Sequence, residues 1–175
     1  METYYPEYPQ MKPLTKESFE LRDIALSEKV SLFETLADLA QPVESLYPVK
    51  MEDLGQSYGY LLYRTKASWD ADEEKIRVID GRDRMQLFVD GKLMATQYQA
   101  EIGQDIFVAG EKKATHRIDI LMENMGRVNY GHKFLADTQR KGIRTGVCKD
   151  LHFLLNWQQY PLSFENIENI DFSKG

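Results

Sequence analysis

The chain has 175 residues, enough for one domain with a substantial core, and its 42% hydrophobic and 29% charged residues are typical of a globular protein. The net charge of -6 argues against nucleic acid or an anionic membrane as a partner, because both favour a basic surface. No apolar run reaches the roughly 18 residues of a membrane span, and the single cysteine, Cys148, excludes an internal disulfide and indicates a reducing, cytoplasmic compartment.

Residues 1–50 have the character of an irregular linker that contributes at most one strand. Prolines alternate with tyrosines in Tyr4–Pro13, which forbids a helix and favours an extended strap across a neighbouring surface over a recognised ligand peptide. Residues 30–39 are ambiguous, because their apolar positions share a helical face and equally fit the start of a strand.

Residues 51–156 carry repeated strand signals. Tyr58–Arg64 is apolar on both faces, as in a central strand covered on two sides. Asp90-Gly91 joins two apolar runs and predicts a two-residue hairpin. The expected register places Val89 opposite Lys92, Phe88 opposite Leu93 and Leu87 opposite Met94.

A further alternating run, His116–Met122, points Ile118, Ile120 and Met122 inward and leaves Asp119 outward in solvent. Turn residues recur about every ten positions, which is the spacing of a β-sandwich or jelly roll. The last stretch, residues 157–175, contains Pro161 and little periodicity and predicts a departing linker. The fold class is therefore all-β, with irregular extended ends.

No motif for catalysis, metal or cofactor binding is present. Phosphate-binding loops are absent, and the three histidines lie too far apart in sequence for metal-ligand spacing. The carboxylates near strand ends fit turns or solvated positions and form no matched acid and base, so we expect no catalytic residue, no metal and no cofactor. These carboxylates are Asp80, Asp83, Asp90, Asp119 and Glu123.

The segment Glu123–Gly131 is the candidate site. It follows a well-patterned strand and carries Asn124, Arg127, Asn129 and Tyr130. Amide, guanidinium and phenol groups can hydrogen-bond sugar hydroxyls and stack on a sugar ring. The same residues also suit a structural loop in which Arg127 and the asparagines bind local carbonyls, and the residues alone leave both interpretations open.

Four blocks occur in the order seen in the glycoside hydrolase family 35 β-galactosidases, and the chain resembles that family. They are Leu54–Thr65, Asp83-Arg84 leading to Phe88–Gly91, Leu121–Gly131, and Lys141-Gly142-Ile143. The resemblance implies a parent with a catalytic (β/α)8 barrel followed by two β domains of the galactose-binding jelly-roll type. Residues 1–50 then correspond to the linker from the barrel, 51–156 to the first β domain, and 157–175 to the connection toward the second.

No position matches the two catalytic glutamates of the family's barrel. The resemblance therefore implies a non-catalytic part of a retaining enzyme that hydrolyses terminal β-linked galactose. Its partners would be the barrel, the second β domain and a β-galactoside.

For the site, the resemblance implies that Tyr130 reaches the mouth of the barrel and meets the sugar on the leaving-group side. Asn129 and Arg127 would shape and hold the loop, and Asn124 would anchor its base. Two alternatives are an independent carbohydrate-binding module and a structural spacer with Tyr130 buried at a domain interface.

Overall fold

The computed structural model describes residues 14–175, so the segment Tyr4–Pro13 lies outside the described residues. The strands are β1 Val43–Ser45, β2 Tyr60–Ser68, β3 Glu73–Arg82, β4 Arg84–Val89, β5 Lys92–Tyr98, β6 Ile106–Ala109, β7 Thr115–Glu123, β8 Gly142–Lys149, β9 His152–Phe153 and β10 Trp157–Leu162. One α-helical turn, α1 Leu36–Leu39, and the 3-10 turns Glu52–Leu54, Asp137–Gln139, Ile167–Asn169 and Phe172–Lys174 complete the elements. None of the helices in residues 14–175 is long and apolar enough to cross a membrane.

The strands form two antiparallel sheets. The six-stranded sheet has the order β1-β10-β2-β7-β4-β5, and the four-stranded sheet has the order β6-β3-β8-β9. The main core lies between the sheets and includes Trp69, Val78, Leu87, Ile120 and Trp157. The predicted all-β sandwich is confirmed.

Strand β2 runs through the middle of the six-stranded sheet with both faces covered. Leu61 and Tyr63 face the main core, whereas Leu62 belongs to a second cluster on the outer face, the side turned away from the four-stranded sheet. Leu36 and Leu39 of α1 pack into that second cluster. Their spacing of three residues places both on one side of the helical turn, so the helical alternative for residues 30–39 is correct at 36–39.

The predicted linker 157–175 is wrong in its first part, because Trp157–Leu162 forms β10 between β1 and β2. Pro161 did not prevent the strand. Its position lies beyond the end of the β1 pairing, where the proline needs no amide hydrogen for a ladder. Residues 163–175 then fold back toward α1, where Lys174 Nζ lies 2.6 Å from a carboxylate oxygen of Asp38.

The hairpin is confirmed in its first two pairs and wrong in the third. Val89 lies opposite Lys92 and Phe88 opposite Leu93, but Leu87 lies opposite Ala95. Met94 is the extra residue of a β-bulge, which shifts the register by one position.

The prediction that Asp119 faces solvent, made from the strand alternation, is also wrong, because its carboxylate is fully buried. Its oxygens lie 2.6 Å from Arg64 Nε and 2.9 Å from Arg117 Nε. Phe33 covers this part of the outer face, packing edge-on against Phe88 at 5.0 Å between ring centroids. The segment before α1 therefore turns a position expected in solvent into a buried one.

Candidate functional site

The candidate site is the Tyr130 loop, residues 124–131, which leaves the end of β7. The Tyr130 side chain is 83% exposed, and Asn129 beside it is exposed as well. Gly126 and Gly131 have φ values of 117° and 95°, which glycine adopts most readily. The loop thus projects an aromatic side chain between two glycine-dependent bends.

Asn124 attaches the start of the loop to the segment before β2. Its Nδ2 donates to the carbonyl of Ser57 at 2.9 Å, and its backbone amide donates to the carbonyl of Gly59 at 3.1 Å. The side-chain Oδ1 accepts from the backbone amide of Gly126 at 3.0 Å. The side chain therefore binds backbone groups on both sides and is not free to meet a ligand.

Arg127 makes a second attachment. Its Nε donates to Ser57 O at 3.2 Å, and its guanidinium forms an ion pair with Glu52 in the 3-10 turn before β2. The Glu52 carboxylate also accepts from the backbone amide of Lys141 at 3.0 Å. Arg127 is thus held by Ser57 and Glu52, and it fixes the position of the loop.

The third attachment passes through a buried lysine. Lys141 is 3% exposed, and its Nζ lies 2.7 and 2.6 Å from the two carboxylate oxygens of Asp83. Asp83 Oδ2 also accepts from the backbone amide of Met125 at 2.8 Å. Lys141 therefore reaches the loop from both sides, through Asp83 by its side chain and through Glu52 by its backbone.

Gly142 fixes the path of the chain beside Lys141. Its φ is 84°, and a Cβ at this position would collide with the hydroxyl of Tyr63. That hydroxyl donates to Val49 O at 2.7 Å and accepts from the backbone amide of Ile143 at 3.0 Å. The buried Tyr63 of β2 therefore orders the segment that carries Lys141.

Sequence reasoning missed Asp83 and Lys141 as parts of the site. By its sequence neighbours Asp83 fits a turn, and Lys141 stands out only as part of a block that resembles the family. The available signal was that both belong to such blocks together with the loop itself.

Two cavities flank the base of the loop. One, of about 550 Å³, is lined by residues that include Asp83, Tyr98, Met125, Arg127 and Lys141. The other, of about 380 Å³, is lined by residues that include Glu52, Arg127, Val128, Phe134 and Leu135. Tyr130 and Asn129 line neither cavity. The predicted residues therefore separate into two that hold the base, Asn124 and Arg127, and two that project from it.

The carboxylates around the loop are all engaged by cations. Asp83 meets Lys141, Glu52 meets Arg127, and Glu123 lies 2.8 Å from Arg84. Within residues 14–175 no three histidine, cysteine or acidic side chains come together as metal ligands. The loop thus presents an exposed phenol above a base held by hydrogen bonds and ion pairs.

Several known proteins have sequences similar to that of this chain. The family described as "Beta-galactosidase, first all-beta domain" matches residues 48–163. A β-galactosidase of Mus musculus is 34% identical over 159 residues, covering 87% of this chain and 24% of the relative. A β-galactosidase of Xanthomonas manihotis is 34% identical over 149 residues, covering 83% and 23%.

A third relative, β-galactosidase 17 of Arabidopsis thaliana, is 27% identical over 173 residues, covering 90% of this chain and 24% of the relative. The chain thus spans about a quarter of the length of these curated relatives. The matched range, 48–163, includes the Tyr130 loop. The chain therefore belongs to the β-galactosidase family and contains its first all-beta domain.

Proposed function

We propose that this domain docks on the catalytic domain of a β-galactosidase and places Tyr130 at the rim of the sugar site. The observation that carries the proposal is the contrast between an 83% exposed Tyr130 and the fixed base beneath it. Three separate attachments hold that base, through Asn124, Arg127 and the Asp83–Lys141 pair. Such rigidity is what a positioning role requires.

Docking is supported by the apolar side chains around the loop. Met125, Phe134 and Leu135 are exposed, together with Tyr130. An exposed group of large apolar side chains beside charged residues is typical of a surface that meets another protein surface. In the docked arrangement these side chains would pack on the catalytic domain, while the Tyr130 phenol faces the sugar.

The residues present assign different roles to the two domains. The catalytic domain would supply the two glutamates that cleave a terminal β-linked galactose with retention. Tyr130 would contribute a ring face and a hydroxyl group, which suit stacking on a sugar and hydrogen bonding to it on the leaving-group side. The parent reaction is inferred from relatives that are β-galactosidases.

Two assays on the 175-residue chain test this assignment. We expect no hydrolysis of a chromogenic β-galactoside above a mock-purified control, and no saturable binding of galactose at concentrations up to about 10 mM, roughly -2.7 kcal/mol of binding free energy. Turnover by the chain would contradict the non-catalytic assignment. Saturable galactose binding would indicate an independent carbohydrate-binding module. The remaining alternative, an inert spacer, is tested by the kinetics of Tyr130 variants in the complete enzyme.

A further inference from the structure

A larger cavity, of about 580 Å³, lies on the outer face of the six-stranded sheet across β1, β10 and β2. Its volume is within the range of about 300–1,000 Å³ typical of small-molecule sites. The residues that matter for its chemistry are Glu44, Arg64, Lys66, Leu155, Asn156 and Gln158.

This cavity is separate from the Tyr130 loop. Tyr60 lies opposite Glu123, at the point where the loop begins. Arg64 and Lys66 lie four and six positions farther along β2, which places them about 13–20 Å away along the strand. The cavity shares no lining residue with the two cavities beside the loop.

The floor of the cavity carries more positive than negative charge. Among its charged lining residues, Arg64 and Lys66 are cationic and Glu44 is anionic. Arg64 is also paired with the buried carboxylate of Asp119, which Arg117 contacts as well. Arg64 is fixed by Asp119 and stacks over the Tyr160 ring at 5.7 Å from the centroid. Among residues 14–175, Arg64 Nη2 has no hydrogen-bond partner.

The strand register sharpens this imbalance. Lys66 lies directly opposite Arg117 in the β2–β7 pairing. Like charges at directly opposite positions destabilise a sheet. Arg117 is paired with Asp119, whereas Lys66 forms no ion pair within residues 14–175, so an anion in the cavity would supply Lys66 with a counter-charge. The surplus is local, since the chain as a whole has a net charge of -6.

The walls add neutral polar groups and an apolar surface. Gln158 Nε2 donates to Glu44 Oε1 at 3.1 Å, which leaves the second Glu44 oxygen as an acceptor. Asn156 is held by its backbone amide, which donates to Leu46 O at 3.0 Å, so its position beside the cavity is fixed. Leu155 provides the apolar side.

We infer that this cavity binds a carboxylate-bearing sugar, such as a uronic acid unit of an oligosaccharide. The carboxylate would lie near Arg64 and Lys66, the ring would lie on Leu155, and the hydroxyls would meet Asn156, Gln158 and Glu44. Charge-assisted hydrogen bonds from a guanidinium are strong and directional for a carboxylate. A neutral sugar would leave the surplus positive charge without a counter-charge.

An acidic segment of another protein is the competing occupant. The sugar is favoured because the cavity combines cations with amide groups, an acceptor carboxylate and one apolar wall. The hydroxyl groups of a sugar can donate to the Glu44 carboxylate, whereas the side chains of an acidic peptide offer it only further carboxylates.

Calorimetric titration of the 175-residue chain with galacturonate, galactose and tetraglutamate tests the inference. Galacturonate and galactose differ in the carboxylate at C6, so they isolate the charge. We expect saturable galacturonate binding, at least about tenfold tighter than galactose, which is about 1.4 kcal/mol. Raising the ionic strength from about 0.01 M to about 0.15 M, which shortens the Debye length from roughly 30 to roughly 8 Å, should weaken it.

Single substitutions test whether galacturonate binds in this cavity. Lys66→Gln should raise the Kd of galacturonate by about fivefold, the effect of losing one exposed charge pair. Lys112→Gln, at an exposed lysine between β6 and β7, should leave the Kd unchanged. Tyr130→Ala should also leave it unchanged, because the loop lies elsewhere on the sheet.

Four results would overturn the inference. Two concern the sugars: galacturonate fails to saturate the chain up to about 0.1 M, roughly -1.4 kcal/mol, or galactose binds with the same affinity. The other two are a galacturonate Kd that Lys66→Gln leaves unchanged, and tetraglutamate binding that is tighter than galacturonate binding and depends on Lys66. The last result would assign the cavity to an acidic protein segment.

Discussion

Lys141 and Asp83, 58 positions apart in the sequence, form a buried ion pair directly beneath the Tyr130 loop. The Lys141 ammonium contacts both oxygens of the Asp83 carboxylate, and one of these oxygens also accepts the backbone amide of Met125. The pair therefore links the residues just before β8 and β4 to the loop at one point.

Removing the lysine charge should destabilise the fold. In Lys141→Met the Asp83 carboxylate, which is only 14% exposed, loses its cation, which costs about 3 kcal/mol of the free energy of unfolding. Urea unfolding of the chain measures this. The control Lys133→Met, at an exposed lysine just after the loop, should change it by no more than about 0.5 kcal/mol. Equal effects of the two substitutions would show that the ion pair does not contribute.

The buried hydroxyl of Tyr63 provides a second test. Tyr63→Phe leaves Val49 O and the Ile143 amide without their partner, and an unsatisfied buried polar group costs about 1–3 kcal/mol. The half-exposed Tyr47 serves as the control, and Tyr47→Phe should be nearly neutral. A neutral Tyr63→Phe in the same urea titrations would mean that water or another group replaces the hydroxyl.

The pair of His116 and Asp90 should make stability depend on pH. The hydrogen bond with Asp90, 2.7 Å from Nδ1 to Oδ2, raises the pKa of His116, and the same bond lowers the pKa of Asp90. Protonated His116 donates from both ring nitrogens, to Asp90 and to Glu111 O. The histidine contribution is therefore complete below the unfolded-state pKa of about 6.5 and is lost as pH rises through the raised value.

The contribution of the Asp90 carboxylate to stability changes with pH in the opposite direction. The Asp90 contribution is complete above the unfolded-state pKa of about 3.9 and is lost as pH falls through the lowered value. We expect the free energy of unfolding to fall by about 1 kcal/mol or less between pH 6 and pH 8, because Asp90 is partly exposed. Asp90→Asn keeps a residue suited to the hairpin turn and should remove this pair's share of the fall. If the free energy of unfolding falls equally with pH in the wild type and in Asp90→Asn, the assignment of this fall to the His116–Asp90 pair is contradicted.

Local patterns were sufficient for β2 and for the first pairs of the hairpin. The continuous apolar run of β2 and the positive φ of Asp90 and Gly91 are set within a few residues. They were insufficient for β10 and Asp119, because both depend on coverage by residues 31–45, far away in the sequence. Burial of Asp119 is a tertiary effect that no strand pattern contains.

The site shows the same division. The composition of the loop indicated Asn124, Arg127 and Tyr130 as candidates, since polar and aromatic groups between glycines are visible locally. The buried lysine was not predictable in this way, because lysine side chains are almost never fully buried unless they are paired. The partner that permits its burial, Asp83, is distant in sequence.

Steady-state kinetics of Tyr130 variants in the complete β-galactosidase test the central claim most directly. Tyr130→Ala should lower kcat/KM by about tenfold, or about 1.4 kcal/mol of transition-state stabilisation, through a raised KM or a lowered kcat. Tyr130→Phe should recover the part that depends on the ring, and Phe107→Ala, at an exposed aromatic residue of β6, should behave as wild type. Thermal unfolding should be the same for all four proteins. Wild-type kinetics for Tyr130→Ala in an intact fold would contradict the account.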